Sequence, residues 1–252
     1  VKRVAGVLAG DPPAEPAAAE PTAEQERLAV EAFRTGGPVL ALRAQTEPPA
    51  DSAPAASPED GPEPLGVELL IAVPDQAGVL PAVAGVLAMH RLTVRTAELR
   101  SVPLPDGVEG SVLLLDWRVA AQYGSLPQAA RLRADLVRAL DGTLDIAGRL
   151  AERDAAHPRR RGVEPPPPRV TVAPAASRLA TVIEVRAQDA PGLLFRLGRA
   201  LEAAGVRVRS AHVSTLGANA VDAFYVTRGE GVPLPREDAA SVARGLEESL
   251  RG

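Results

Sequence analysis

The sequence contains no cysteine, and aromatic residues occupy only 2% of its 252 positions. Without cysteine there can be no disulfides, thiolate metal sites or cysteine nucleophiles, and the composition suits a cytoplasmic protein. A net charge of −4 gives no overall basic field for nucleic acid or an anionic membrane. No apolar run reaches the roughly 18 residues of a membrane span. We therefore expect a soluble, cytoplasmic protein that binds neither nucleic acid nor membrane.

Proline is plentiful, but most of the 25 prolines lie outside the regularly patterned segments. Residues 1–66 are predicted to be a leader of short helices followed by a proline-rich linker. Residues 1–8 could be the end of a helix, and Thr22 and Gln25 have the spacing of a capping box that would open a helix over residues 22–34. From residue 45 to 66 the prolines exclude both a helix and a central strand.

An internal repeat dominates the remainder of the chain. Residues 67–80 align without a gap to residues 181–194, and residues 92–97 align to 206–211. Each copy reads as a strand, a turn built on Asp and Gly, an amphipathic helix and a second strand. The repeat therefore predicts two related small modules.

The pattern continues through a third strand and a second helix in each copy, in the order β-α-β-β-α. A unit of this kind normally needs one more strand to complete its sheet. The only unassigned strand-like run is residues 169–173, which could serve either module. The predicted elements are strands at 67–73, 92–102 and 110–120 with helices at 79–87 and 128–140, then strands at 181–187, 206–216 and 220–227 with helices at 192–204 and 236–250.

This element order, with Asp-Ala-Pro-Gly-Leu-Leu at residues 189–194, resembles the ACT domain, a ferredoxin-like regulatory module. The resemblance implies an α+β protein with two βαββαβ modules in tandem. The first ACT domain would cover residues 67–173 and the second residues 174–252, with residues 169–173 as a candidate for the final strand of the second.

The second copy, with Val-Ser-Thr-Leu-Gly at 213–217 and Val-Asp-Ala-Phe-Tyr-Val-Thr at 221–227, resembles more specifically the C-terminal ACT pair of the PII-protein uridylyltransferase family. That resemblance implies a regulatory region that senses glutamine and acts on the PII signalling protein through the full-length enzyme. The chain has no Asp-x-Asp pair and no His-Asp pair, so the catalytic domains and their Mg²⁺ would lie before Val1. No catalytic residue and no cofactor are predicted within this chain.

The repeated turn is the candidate ligand site. A glycine turn that opens a helix exposes N–H groups beside the positive end of the helix dipole, which suits a carboxylate. An aspartate three residues ahead of each glycine could meet an ammonium group, so the turn could hold an amino acid. Asp and Gly are also ordinary turn residues, and Ala77 stands where the family usually has proline. The predicted contacts are Gln188, Asp189, Ala190, Gly192 and Leu193 in the second turn, and Asp75, Gln76, Gly78 and Val79 in the first.

The alternative function is a ligand-free ACT module that only holds chains together. Residues 112–115 and 221–226 are apolar on both faces of their strands. Because the predicted helices cover one face only, the other face needs a partner. We therefore expect association with the sister module or a homodimer.

Overall fold

The computed structural model describes residues 20–44, 66–104, 110–121, 128–156, 166–173, 179–216, 219–229 and 231–251. Within these ranges the chain forms one eight-stranded antiparallel sheet and six helices, so the predicted α+β class is confirmed. In this part of the chain no helix is both long and apolar enough to cross a membrane. The predicted helix at residues 1–8 and nearly all of the predicted linker at 45–66 lie outside the described residues.

The elements follow the predicted order, with one strand and one helix in the first module that were not predicted, Val39–Ala44 and Ile146–Ala156. The first module contains α1 (Ala23–Thr35), β1 (Val39–Ala44), β2 (Gly66–Pro74), α2 (Val79–Met89), β3 (Leu92–Pro103), β4 (Ser111–Ala121), α3 (Ala129–Leu140) and α4 (Ile146–Ala156). The second contains β5 (Arg169–Ala173), β6 (Thr181–Gln188), α5 (Leu193–Ala203), β7 (Arg207–Leu216), β8 (Asn219–Thr227) and α6 (Arg236–Arg251).

The sheet order is β1-β2-β4-β3-β7-β8-β6-β5, so each module contributes four strands. In both modules the edge strand pairs with the first strand of the repeat and comes before it in sequence: β1 pairs with β2, and β5 pairs with β6. Strand β5 pairs with β6, which settles the alternative left open for residues 169–173 in favour of the second module. Strand β1 pairs with β2 and was missed, because the leader was interpreted as short helices and a linker. Each module therefore has the four strands of a ferredoxin-like sheet, with the last strand supplied from the N-terminal side.

The main core lies between the sheet and a layer of helices on one face. Alternate residues of β2, among them Val67, Leu69 and Ile71, point into it and are almost fully buried. Helix α2 packs against α3, α4 and α5 and is apolar on nearly every side, which is the pattern of a central helix. One continuous apolar cluster thus extends through both modules.

The opposite face of the first module is covered by α1. Thr22 and Gln25 form the predicted capping box, and the Gln25 side chain also accepts a hydrogen bond from Arg100 on β3 at 2.7 Å. Ala29 and Ala32 pack on Val112 and Leu114 of β4. For the first module, the expectation that this face needs the sister module or a second chain as its partner was wrong, because α1 from the leader covers it.

The modules join edge to edge. Strand β3 pairs with β7 from Thr96↔Ser214 to Arg100↔Ser210, and helices α2 and α5 pack against each other beside this seam. Both strands carry a register shift, after Val94 in β3 and after Val208 in β7, and it increases local twist at equivalent positions of the repeat. The predicted association with the sister module is therefore confirmed, but through strand pairing and helix packing.

Candidate ligand-binding site

Both repeated turns have the same backbone conformation in the structure. Gly78 and Gly192 have φ angles of 79° and 77° and lie at the N-caps of α2 and α5. This left-handed conformation is open to glycine at little cost. Neither helix has a side-chain N-cap hydrogen bond. The two turns nevertheless have different surroundings.

The first turn is closed by side chains. The Asp75 carboxylate accepts hydrogen bonds from Ser111 Oγ at 2.9 Å and from Arg207 Nη2 at 2.7 Å. A methyl group on Gly78 would lie 3.3 Å from a carboxylate oxygen of Glu202, so that side chain occupies the corner. The structure does not bring the four predicted contacts of this turn to the cavity described next, namely Asp75, Gln76, Gly78 and Val79.

The second turn opens onto a cavity of about 140 Å³. Four of its five predicted residues line this cavity, whereas Gln188 lies at the exposed end of β6 outside it. The first module supplies the opposite wall through residues 91–94 and α2 and α4. The lining therefore comes from both modules, with Asp189, Ala190, Gly192 and Leu193 facing Ala84, Ala88, Thr93 and Arg153.

Contrary to what the sequence had suggested, not every N–H group of the second turn is available to bind a ligand carboxylate. The Leu193 N–H donates to the Ala190 carbonyl at 3.0 Å, so the turn already uses this donor. The positive end of the α5 dipole still points at the cavity. Positive charge also comes from Arg91 and Arg153, both of which line the cavity. These two residues lie beyond the repeated turn, which is why the motif did not indicate them.

Arg91 has an unusual backbone for its residue type. Its φ is 57°, and the equivalent position of the second module is Gly205 with φ 70°. A non-glycine residue in this conformation costs roughly 1–2 kcal/mol. Strain of this kind often persists at functional sites, and Arg91 stands at the rim of the cavity.

Asp189 is the predicted acid of the site, and it is half-buried. Burial raises the pKa of its carboxyl, while Arg95 and the Ala190 N–H act in the opposite direction. The carboxylate thus borders the cavity in partial exclusion from water, where its interaction with an ammonium group is stronger than in water.

Asp222 on β8 is a second acid in the cavity, and the sequence analysis did not select it. Asp222 is almost fully buried, with 2% of its surface exposed. Burial raises the pKa of its carboxyl to about 7, the Ser214 N–H lowers it, and the neighbouring Asp189 raises it further. Within the described part of the chain, Asp222 Oδ1 has no hydrogen-bond partner. The only sequence signal was an acid inside the otherwise apolar run of residues 221–226.

The cavity thus combines two carboxylates with the N-terminus of a helix and two arginines. Its volume is close to that of cavities of about 150 Å³ that hold benzene, so it suits a ligand of few heavy atoms. Such a site is suited to a small zwitterion. Among the residues that the structure describes, no group of three or more His, Cys, Asp or Glu side chains could hold a metal ion.

The class of protein follows from the fold together with a family match. The sequence profile of the ACT domain matches residues 181–243, which run from β6 into α6. The chain therefore contains an ACT domain, and its architecture agrees with two ferredoxin-like ACT modules in tandem.

Several known proteins are similar to this chain in sequence. The whole chain is 88% identical, over 269 aligned positions, to 32% of the length of the bifunctional uridylyltransferase/uridylyl-removing enzyme of Streptomyces coelicolor, at its C-terminal part. Proteins of the same name from Mycobacterium tuberculosis (33% identity, 77% of this chain, 24% of theirs) and Gluconobacter oxydans (35%, 73% and 19%) also match. The predicted resemblance is confirmed. The chain spans about a third of the first relative and less of the others.

A solved structure, described as an unknown protein from Galdieria sulphuraria, covers 73% of this chain and 89% of its own with 14% identity. Its TM-score is 0.24, so it contributes nothing to the assignment.

Proposed function

We propose that this chain is the amino-acid-sensing region of an enzyme that uridylylates and deuridylylates the PII signalling protein, and that its ligand is glutamine. The observation that carries the proposal is the cavity at the second turn, which is lined by both modules and contains Asp189 beside the N-terminus of α5. The relatives' shared name supports the connection to the enzyme. On this proposal Mg²⁺ serves catalytic domains outside this chain, and the chain itself needs no cofactor.

The charge pattern suits an amino acid in a defined orientation. The ammonium group would face Asp189, and the carboxylate would face the N-terminal end of α5, since a helix N-terminus favours an anion. A nucleotide is too large for a cavity of about 140 Å³. Glutamine is small enough and carries both charges.

Ligand binding would act through the position of the modules. Arg91 and Ala88 belong to the first module, whereas Asp189 and Leu193 belong to the second. A ligand that touches both walls stabilises the arrangement in which the walls are close. A preference for one arrangement over another is the only means by which a ligand can shift an equilibrium. In the full enzyme this shift would be the signal to the catalytic domains.

Isothermal titration of the chain with the common amino acids tests the proposal. We expect glutamine to bind, and Asp189→Asn to weaken its binding by tenfold or more because the variant removes a charge-assisted contact. Asp75→Asn is the matched control, since Asp75 occupies the equivalent turn but is held by Arg207 and Ser111. Binding of no amino acid, or equal losses in both variants, would contradict the proposal.

A ligand-free interaction module is the second candidate. The observation that favours it is the β3–β7 seam, which joins the two modules by backbone strand pairing. A scaffold of this kind would show no heat with amino acids and would keep its association state in the Asp189→Asn variant.

A further inference from the structure

Asp222 is placed where the fold itself prefers an apolar residue. It lies opposite Val185 of β6 and Val213 of β7. In the first module the residue opposite Ile71 and Leu99, the equivalents of these two, is Leu115, which is fully buried. The same sheet position thus holds leucine in one module and an acid in the other. Folding alone gives no reason for the difference.

The acid also has unused bonding capacity that faces the cavity. Asp222 lines the cavity, and its Oδ1 has no hydrogen-bond partner among the described residues. A buried polar atom without a partner destabilises the folded state, more so when the group is charged, and such atoms in folded proteins call for an explanation. A ligand donor in the cavity would supply the missing partner.

We propose that Asp222 and Asp189 together form the subsite that binds the α-ammonium group of the ligand, so that a ligand without this positive charge is rejected. This inference rests on the proposed function, and it adds the residue that determines specificity. An ammonium group has three N–H donors, enough to reach both carboxylates. A cation between the two acids also offsets their repulsion, which adds to the effect of burial on the pKa of Asp222.

Binding should therefore be linked to proton release from Asp222. In the free protein the Asp222 carboxyl has a pKa of about 7, so near neutral pH it is only partly ionised. A bound ammonium group favours the ionised form, which means that affinity rises with pH until Asp222 is fully ionised. The other charged groups at the cavity are Asp189, Arg91 and Arg153, with Arg95 acting on Asp189.

The experiment is titration of the whole chain with glutamine at pH 6 and pH 8, in wild type and in Asp222→Asn. With a pKa of about 7 in the free protein and one proton released, wild type should bind about tenfold more tightly at pH 8. The variant should bind much more weakly at pH 8 and lose most of this pH dependence. Glutaramate, which is glutamine without its ammonium group, should not bind to wild type. Asn has nearly the same shape as Asp, and circular dichroism checks that the variant folds.

Asp116→Asn is the control for a carboxyl with a raised pKa outside the cavity. It should bind glutamine as wild type does, with the same pH dependence. If wild type binds glutamine and Asp222→Asn binds it as tightly as wild type does at pH 6 and at pH 8, the subsite inference is overturned while the proposed function stands. Glutaramate binding as tightly as glutamine would overturn it too. If wild type binds no amino acid at either pH, both proposals fail.

Discussion

Asp222 is a residue whose buried carboxyl destabilises the folded protein when it ionises. The neutral carboxyl is the form that its buried position favours, because burial raises its pKa to about 7. An exposed aspartate in the unfolded chain has a pKa of about 3.9. The folded state therefore binds this proton more tightly than the unfolded state does. Asp222 therefore lowers the free energy of unfolding as pH rises between these two pKa values, and this loss of stability is complete above about pH 7.

We predict that the melting temperature of the ligand-free wild type falls from pH 5 to pH 8 relative to that of Asp222→Asn. A difference of about three pH units corresponds to at most about 4 kcal/mol. For a chain of this size each kcal/mol is worth roughly 2–4 °C. Differential scanning calorimetry of both proteins measures the gap. A constant gap at every pH would show that Asp222 does not titrate in this interval.

At the scale of elements, the contact between α2 and α5 depends on a small residue. Gly198 of α5 lies against the backbone of Pro81 in α2, and an added Cβ would lie 3.0 Å from Pro81 N. Pro81 is in the first turn of α2, where proline is tolerated. Backbone atoms there cannot move aside as the end of a side chain can. The close approach of these two helices therefore requires glycine.

We predict opposite effects from the same substitution at two helical glycines. Gly198→Ala should destabilise the fold, because overpacking costs roughly 1–3 kcal/mol and exceeds the gain in helix propensity. Gly245→Ala in α6 should stabilise it by up to about 1 kcal/mol, since no atom lies within 4 Å of the added methyl group. Urea unfolding of the two variants gives both values. Stabilisation by Gly198→Ala would show that the helices are less tightly packed than described.

Much of this architecture could be predicted from the sequence, because the repeat fixes elements that share one hydrophobic pattern. The capping box at Thr22 and the glycine turns that open α2 and α5 were local signals, and both are present in the structure. Strand β1 could not be recognised, since its six residues lie next to a proline-rich segment and are identified as a strand only by their pairing with β2. Asp222 was missed for a related reason: its distance from Asp189 in sequence conceals that both face one cavity.

The whole molecule is built as one unit around the seam between the modules. The sheet continues from β3 to β7, and the main apolar cluster includes residues of both modules, such as Leu69, Val83, Leu197 and Phe224. Neither module can separate completely without exposing the edge of a strand and part of this cluster. The cavity lies beside the seam, so a bound ligand would add contacts between the two halves.

We predict that the chain unfolds in a single cooperative transition. Trp117 is the only tryptophan and is buried in the first module, so its fluorescence reports on that module alone. Far-UV circular dichroism reports on both modules. The two signals should give the same midpoint in urea, which is the usual test of cooperativity. Two separated midpoints would show that the modules fold independently despite the shared sheet.

A crystal structure of the chain with glutamine tests the central claim most directly. We expect ligand density in the cavity between the modules, with the ammonium nitrogen about 3 Å from carboxylate oxygens of Asp189 and Asp222. The carboxylate of the ligand should face the N-terminus of α5. Glutamine bound at the first turn, at another surface, or with its ammonium group turned away from both acids would contradict it.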